Sequence, residues 1–186
     1  MSTQIFLDTE FTGLHQKTTL ISIGLVAENG NGFYAEFNDY DVTQLNDFIS
    51  QHVLVHLNKT VMPYTRWTGK EKNIFVTGTT QQIKSLLEIW LTQFSMIEIW
   101  ADALAYDWVL FCELFGGAMS IPKNIFYAPF DLATLFRIKG FIEPVENYSK
   151  DISRFAFVDA DESFRHNALE DAKVELLCYL KLVGNE

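Results

Sequence analysis

The chain opens on a two-residue period. From Gln4 to Phe11, the residues Ile5, Leu7, Thr9 and Phe11 alternate with Phe6, Asp8 and Glu10, as side chains do when they leave a strand on opposite faces. Leu20 to Ala27 is a second apolar run of strand length and Phe33 to Phe37 a third. Between them stands Glu-Asn-Gly-Asn-Gly, whose Asn-Gly steps readily take the positive φ angles of a tight hairpin. An antiparallel meander of three strands is expected. The period then changes. Asp41 to Leu57 and Thr79 to Phe94 place apolar residues at helical spacing, the second through Ile83, Leu86, Leu87, Trp90, Leu91 and Phe94, so two amphipathic helices are expected. Ile97 to Ala101 reads as a short strand. A helical pattern from about Tyr106 to Phe115 follows it and closes at Gly116-Gly117, completing a βα unit. A short strand near Ile125 to Tyr127, a small helix N-capped by Asp131, an irregular stretch to Phe164 and a final helix to about Leu182 complete the expectation. Strands first and βα units later predict an α/β fold with one mixed sheet, its first three strands antiparallel and the rest parallel, flanked by helices. With no repeat, low-complexity segment or linker, residues 1–186 are expected to form a single domain.

Composition narrows the class. The 16 Phe, 7 Tyr and 4 Trp among 186 residues are far too apolar for a disordered chain. A net charge of −10 argues against long-range electrostatic capture of duplex nucleic acid, which needs a basic footprint, but leaves open short substrates gripped through metal ions. Cys112 and Cys178 each lie in an apolar stretch and are expected as buried, reduced thiols of a cytoplasmic protein. The N-terminus has no basic region, and Asp8 and Glu10 interrupt its apolar run, so neither a signal peptide nor a membrane anchor is expected.

The chemistry lies in acids at three places. Asp8 and Glu10 are two apart on a strand apolar enough to be central, so both carboxylates leave one face. Taken alone, Asp-x-Glu also fits an exposed sheet edge. His166-Asn-Ala-Leu-Glu-Asp171 opens the last helix, where His166 and Asp171 are about 140° apart at 3.6 residues per turn. They can reach one site only if His166 lies at or before the first turn while Asp171 points inward. Asp107 begins the helix after the strand ending near Ala101, at the sheet edge where open α/β sheets place ligands. A first-turn acid stabilised by the helix dipole is the plainer reading of Asp107, and Asp102 is a rival for its role.

Asp-x-Glu on the first strand, Tyr-Asp before an apolar helix and His-x4-Asp on the last helix together resemble the three motifs of the DEDDh branch of the DnaQ-like 3′-5′ exonucleases. Asp8-Thr-Glu-Phe-Thr-Gly-Leu14, Leu-Ile-Ser-Ile-Gly-Leu-Val, Phe-Tyr-Ala-Glu-Phe and Ala-Tyr-Asp further resemble the small bacterial exoribonucleases of the RNase AS family. The likeness is dense from Ile5 to Phe37 and loose over 38–95 and 140–163. Ala103 departs from it, standing where many members carry Asn. The resemblance implies an RNase H-like domain that removes nucleoside 5′-monophosphates from the 3′ ends of single-stranded RNA by a two-metal-ion mechanism. In that mechanism Asp8 would bridge two ions, Mg²⁺ or Mn²⁺, Glu10 and Asp171 would complete one site, and Asp107 would hold the other directly or through water. His166 would be the general base. Glu10, with backbone groups around Phe11 and Thr12, would hold the terminal ribose, and Leu14 would wedge against the last base. A homodimer is also implied.

The physical chemistry agrees with these roles. Hard divalent cations select carboxylate oxygens and stabilise the charge that phosphodiester cleavage develops. Without cations, carboxylates about 4 Å apart repel by roughly 4 kcal/mol per pair at an effective dielectric of about 20. Lys59, Arg66, Lys70 and Lys72, interleaved with Tyr64 and Trp67, could guide a single strand, although a solvated loop or dimer contact fits as well. His15, His52 and His56 have no acid or cysteine partners at ligand spacing and are given no role. Two alternatives stay open: an exonuclease acting on single-stranded DNA or short oligonucleotides generally, and a catalytically silent nucleic-acid-binding or partner-binding module on the same fold.

Overall fold

A computed structural model describes residues 2–57, 73–142 and 151–184. Strand β1 (Thr3–Phe11) pairs antiparallel with β2 (Leu20–Ala27), which pairs antiparallel with β3 (Gly32–Phe37), as the two-residue period predicts. Gly30 takes φ +86° in the connecting turn, a conformation open to it because it has no Cβ. Strand β4 (Ile74–Gly78) adds in parallel to β3, and β5 (Ile97–Ala101) adds in parallel to β1. A two-residue strand β6 (Phe130–Asp131) completes the six-stranded order β4-β3-β2-β1-β5-β6. β1 is therefore interior as far as Phe6, where its pairing with β5 ends, and Asp8 and Glu10 lie just past that point, half-buried rather than on an exposed edge.

Helix α2 (Thr80–Leu91) begins at a capping box between Thr79 and Gln82 and drives Ile83, Leu87, Trp90 and Leu91 into the main core. Helix α3 (Ala105–Leu114) adds Leu110, Phe111 and Leu114 to the same core, against Ile5, Leu7, Ile97 and Ile99. The other face of β1 and β2 is covered by α6 (Ala168–Val183), whose Ala168, Leu169 and Ala172 pack on Val26 and Tyr34. Behind α6 lie α4 (Leu132–Ile138) and the four-residue α5 (Arg154–Phe157), joined to it through Phe136, Phe155, Phe157, Val174 and Cys178. Both cysteines are free and buried. Among the described residues, no helix is long and apolar enough to cross a membrane.

Four expectations need correction. The helix expected over Asp41 to Leu57 is three short pieces: a 3₁₀ turn at Val42–Gln44, α1 (Asp47–His52) and a 3₁₀ turn at Leu54–His56. Asn46, extended at φ −123° and ψ 177°, spends its side chain capping Ile49 N–H and restarts the helix there. The strand expected near Ile125 to Tyr127 is a single bridge from Ile97 to Ile125, and the true sixth strand lies at Phe130–Asp131. The stretch to Phe164 is not wholly irregular, since it holds α5 and a 3₁₀ turn at Glu162–Phe164. Strand β4 was not expected at all.

Candidate active site

Each acid arrives by a different route. Asp8 and Glu10 share the α6-facing side of β1 with Phe6, which meets Tyr179 of α6 at a ring separation of 5.3 Å. β1 keeps a regular register through Asp8, opposite Gly24, and its register with β2 slips between Glu10 and Phe11. Gly24 is what lets α6 approach: a Cβ there would stand 2.2 Å from the Ala168 carbonyl oxygen. The first turn of α6 therefore rests on the sheet backbone, bringing Asp171 over Asp8 and Glu10. Ligand oxygens of Asp8, Glu10 and Asp171 all lie within 4.8 Å of one another, a spacing a single cation can span.

Asp107 comes from the opposite helix layer. β5 pairs with β1 only as far as Trp100 opposite Phe6, so the backbone beyond it lacks a strand partner on that side. Asp107 fills the gap: its buried Oδ1 accepts from Thr9 N–H at 2.9 Å and from the Thr9 hydroxyl at 2.6 Å. Its carboxylate thus flanks the triad without joining the tight group. Asp102, the rival, is engaged elsewhere. Arg154 meets its Oδ2 through Nε at 2.9 Å and its Oδ1 through Nη2 at 3.1 Å.

His166 precedes α6, as its angular distance from Asp171 requires, and it takes φ +68°. A left-handed backbone is uncommon for a residue with a side chain, and here it turns the ring into the site. Nδ1 stands 3.8 Å from Glu10 Oε1, an ion-pair distance rather than a hydrogen bond. The edge of Phe48 meets the His166 ring at 5.3 Å, and His52 is a neighbour at 6.3 Å.

The electrostatics express crowding. Burial, then the charges of Asp171, Asp107 and Glu10, hold the Asp8 carboxyl well above the usual carboxylate range. Burial first and Glu10 second push Asp171 up to about 7. Burial lifts Asp107 to about 6 against the two Thr9 hydrogen bonds. The Glu10 carboxylate raises the His166 imidazole above its ordinary value. Asp8 Oδ2 is buried with no hydrogen-bond partner among the described residues. Converging acids that repel one another and an orphaned oxygen fit a site completed by divalent cations.

The substrate contacts expected from the sequence are placed as follows. Phe11 stacks on Tyr106 at 5.2 Å, and Leu14 is 78% exposed. Thr12 is buried: its N–H is taken by the Thr19 carbonyl, and its hydroxyl sits among Thr18, Thr19 and Gln44. Its amide is therefore not free to donate to a ligand. Lys59, Arg66, Lys70 and Lys72 lie outside the described residues.

Sequence reasoning missed Glu175, Thr9, Arg154 and the pair Phe48 and His52. Glu175 had a signal, since it falls on the stripe Ala168, Ala172, Glu175, Tyr179 and Leu182, where an acid interrupts an otherwise core-facing series. Arg154 had none, because its partner Asp102 is 52 residues away.

The 3′-5′ exoribonuclease Rv2179c-like domain model matches residues 3–181. Two curated Mycobacterium tuberculosis proteins, 3′-5′ exoribonuclease Rv2179c (strain ATCC 25618 / H37Rv) and 3′-5′ exoribonuclease MT2234.1 (strain CDC 1551 / Oshkosh), are each 31% identical over 137 residues, 73% of this chain and 74% of theirs. Among solved structures, Escherichia coli exonuclease I in its zinc-bound complex with single-stranded DNA superposes with a TM-score of 0.57 at 14% identity, over 98% of this chain and 40% of that one. The same enzyme with a dT13 oligonucleotide gives 0.56 at 15% identity, covering 100% and 41%. The Neurospora crassa Pan2 catalytic unit gives 0.52 at 17% identity, covering 98% and 27%. The chain thus spans well under half of these structural neighbours, and at such identities they establish the fold alone.

Proposed function

Because the chain belongs to the family of Rv2179c-like 3′-5′ exoribonuclease domains, we propose that it removes nucleoside 5′-monophosphates from the 3′ end of single-stranded RNA, with divalent cations, Mg²⁺ or Mn²⁺, held at Asp8, Glu10, Asp107 and Asp171. The observation that carries this reading is the meeting of Asp8, Glu10 and Asp171 within 4.8 Å, with Asp107 buried beside them. When bound there, such cations would supply charge for the attacking and leaving oxygens and would acidify a bound water. His166 takes the proton of the attacking water, its ring held by the left-handed backbone and by Phe48. Glu10 orients that imidazole from 3.8 Å and, with carbonyls near Phe11 and Thr12, receives the terminal ribose hydroxyls. Leu14, exposed and apolar, packs on the last base.

RNA is preferred over DNA in this reading because the curated relatives are named exoribonucleases. A silent binding module is disfavoured, since buried acids that repel one another weaken a fold that does not use them. The reading also takes residues 1–186 as one catalytic domain, in the cytoplasm, where its buried free thiols stay reduced, and as a homodimer whose second subunit extends a shallow groove. Sedimentation as a monomer alone would remove the dimer.

The test compares matched RNA and DNA oligonucleotides labelled at the 3′ end, with Mn²⁺ and with EDTA. Metal-dependent release of labelled mononucleotide, faster from RNA, is expected. Equal rates on DNA would shift the substrate class, and no release from either would refute the enzyme reading.

A further inference from the structure

Glu175 lies four residues beyond Asp171, so α6 presents both along one line of its surface. It is 4% exposed and lines a cavity of about 150 Å³ together with Asp8, Asp171, Asp102 and Arg154. That volume accommodates several waters, because one needs only about 10–15 Å³ of probe-occupied space. The two oxygens of Glu175 have different surroundings. Oε1 accepts the Asp102 N–H at 2.9 Å. Oε2 is buried with no hydrogen-bond partner among the described residues, as is Asp8 Oδ2 on the same cavity.

A buried carboxylate with an idle oxygen is costly unless something meets it. Of the two arginines lining the cavity, Arg154 is committed to Asp102 and to Asp151, and Arg165 is exposed. Burial pushes Glu175 well above the usual carboxylate range, and Asp102, Asp107 and Asp171 push the same way. The Asp102 bond has a structural use. Asp102 opens the turn from β5 to α3, where Ala103 takes φ +53°, and that turn delivers Asp107. One oxygen is thereby explained, and the other is not.

Resting on the function proposed above, we propose that Glu175 is a positioning residue of the metal centre: Oε1 fixes the turn that carries Asp107, and Oε2 accepts a hydrogen bond from water coordinated to the divalent cation held at Asp8 and Asp171. Carboxylates in this outer position orient the ligands and raise the site's affinity, and their loss typically weakens metal binding 10- to 100-fold.

Glu175→Gln separates the two tasks, because the amide oxygen still accepts from Asp102 N–H while the amide nitrogen replaces the free acceptor with a donor. Mn²⁺ alone is titrated calorimetrically into the metal-free wild-type protein, Glu175→Gln and Asp8→Asn, with circular dichroism and melting in EDTA as the folding check. Glu175→Gln is expected to fold and melt no lower than wild type, yet to bind Mn²⁺ roughly 10- to 100-fold more weakly. If wild type binds Mn²⁺, Asp8→Asn loses it and Glu175→Gln keeps the wild-type dissociation constant, the role of Glu175 is overturned while the metal centre stands. If wild type takes up no Mn²⁺, both readings fall. Should Glu175→Gln not fold, Glu175→Met carries the same readout: wild-type affinity in the folded variant overturns the inference, and a loss of the same order supports it.

Discussion

Replacing Asp171 by Asn should make the metal-free protein more stable and the enzyme inactive. Asp171 is held at about 7 by burial and by Glu10, against 3.8 for a free carboxyl. At 1.36 kcal/mol per pH unit this corresponds to roughly 4 kcal/mol of strain in the ionised folded state. Part of that belongs jointly to Asp8 and Glu10, so relief of about 2 kcal/mol is expected from Asn, which keeps the shape and an acceptor oxygen. For a chain of this size, that raises Tm by about 4–8 °C. The pH dependence has a definite sign. A carboxyl whose folded pKa is raised binds protons more tightly in the native state, so its stabilising contribution is full below about 3.8 and is lost as pH rises through about 7. Asp107, raised to about 6, acts in the same direction. The exposed caps Asp41 and Asp161, lowered by Thr43 and Ser163, act in the opposite sense and only in acid. Thermal melts in EDTA from pH 5 to 8 should therefore fall for wild type and flatten for Asp171→Asn. Adding Mn²⁺ at pH 8 should raise the wild-type Tm and leave the variant unmoved. If Asp171→Asn melts lower than wild type in EDTA, or keeps the full Mn²⁺ response, the acids are not a strained site awaiting cations.

Three further perturbations test the supporting geometry. His166→Ala should bind Mn²⁺ as wild type does while kcat drops about 10²-fold or more in the labelled-RNA assay, and unchanged turnover would remove His166 from the mechanism. Thr9→Val keeps the strand's shape but removes a 2.6 Å hydrogen bond to buried Asp107, so denaturant unfolding should register a loss of about 1–3 kcal/mol together with slower turnover; wild-type values for both would mean that Thr9 does not hold Asp107 in place. Gly24→Ala puts a methyl 2.2 Å from the Ala168 carbonyl, forcing α6 off the sheet, with an expected cost of about 3 kcal/mol and loss of Mn²⁺ binding; a variant as stable as wild type would contradict the close approach.

Local pattern was enough where neighbours in sequence are also neighbours in space. The strand at Leu20–Ala27, the Asn-Gly hairpin and the strand at Ile97–Ala101 follow from alternation, turn chemistry and apolar runs. Helix α2 announces itself through Thr79 and Gln82. The pattern misled over Asp41 to Leu57, where apolar spacing suits a helix but Asn46 and Asp41 each cap a separate turn. β4 escaped because five alternating residues are too few for periodicity to identify, and what makes them a strand is the open edge of β3. β6 is two residues long and exists only because β5 pairs with it.

The same division runs through the site. Residue types and spacing offered Asp8, Glu10, Asp107, Asp171 and His166 as candidates suited to cations and proton transfer, with Asp102 as a rival, and it was the resemblance to a known family that grouped them. Tertiary structure decided their company. A missing Cβ at Gly24 sets the height of α6, and the early end of β5 exposes the Thr9 backbone to Asp107. A positive φ turns His166 inward, and one turn of helix adds Glu175 to the cavity. Each of these depends on which surfaces meet across long loops, a matter settled by packing and backbone hydrogen bonds between distant segments rather than by any short stretch of chain.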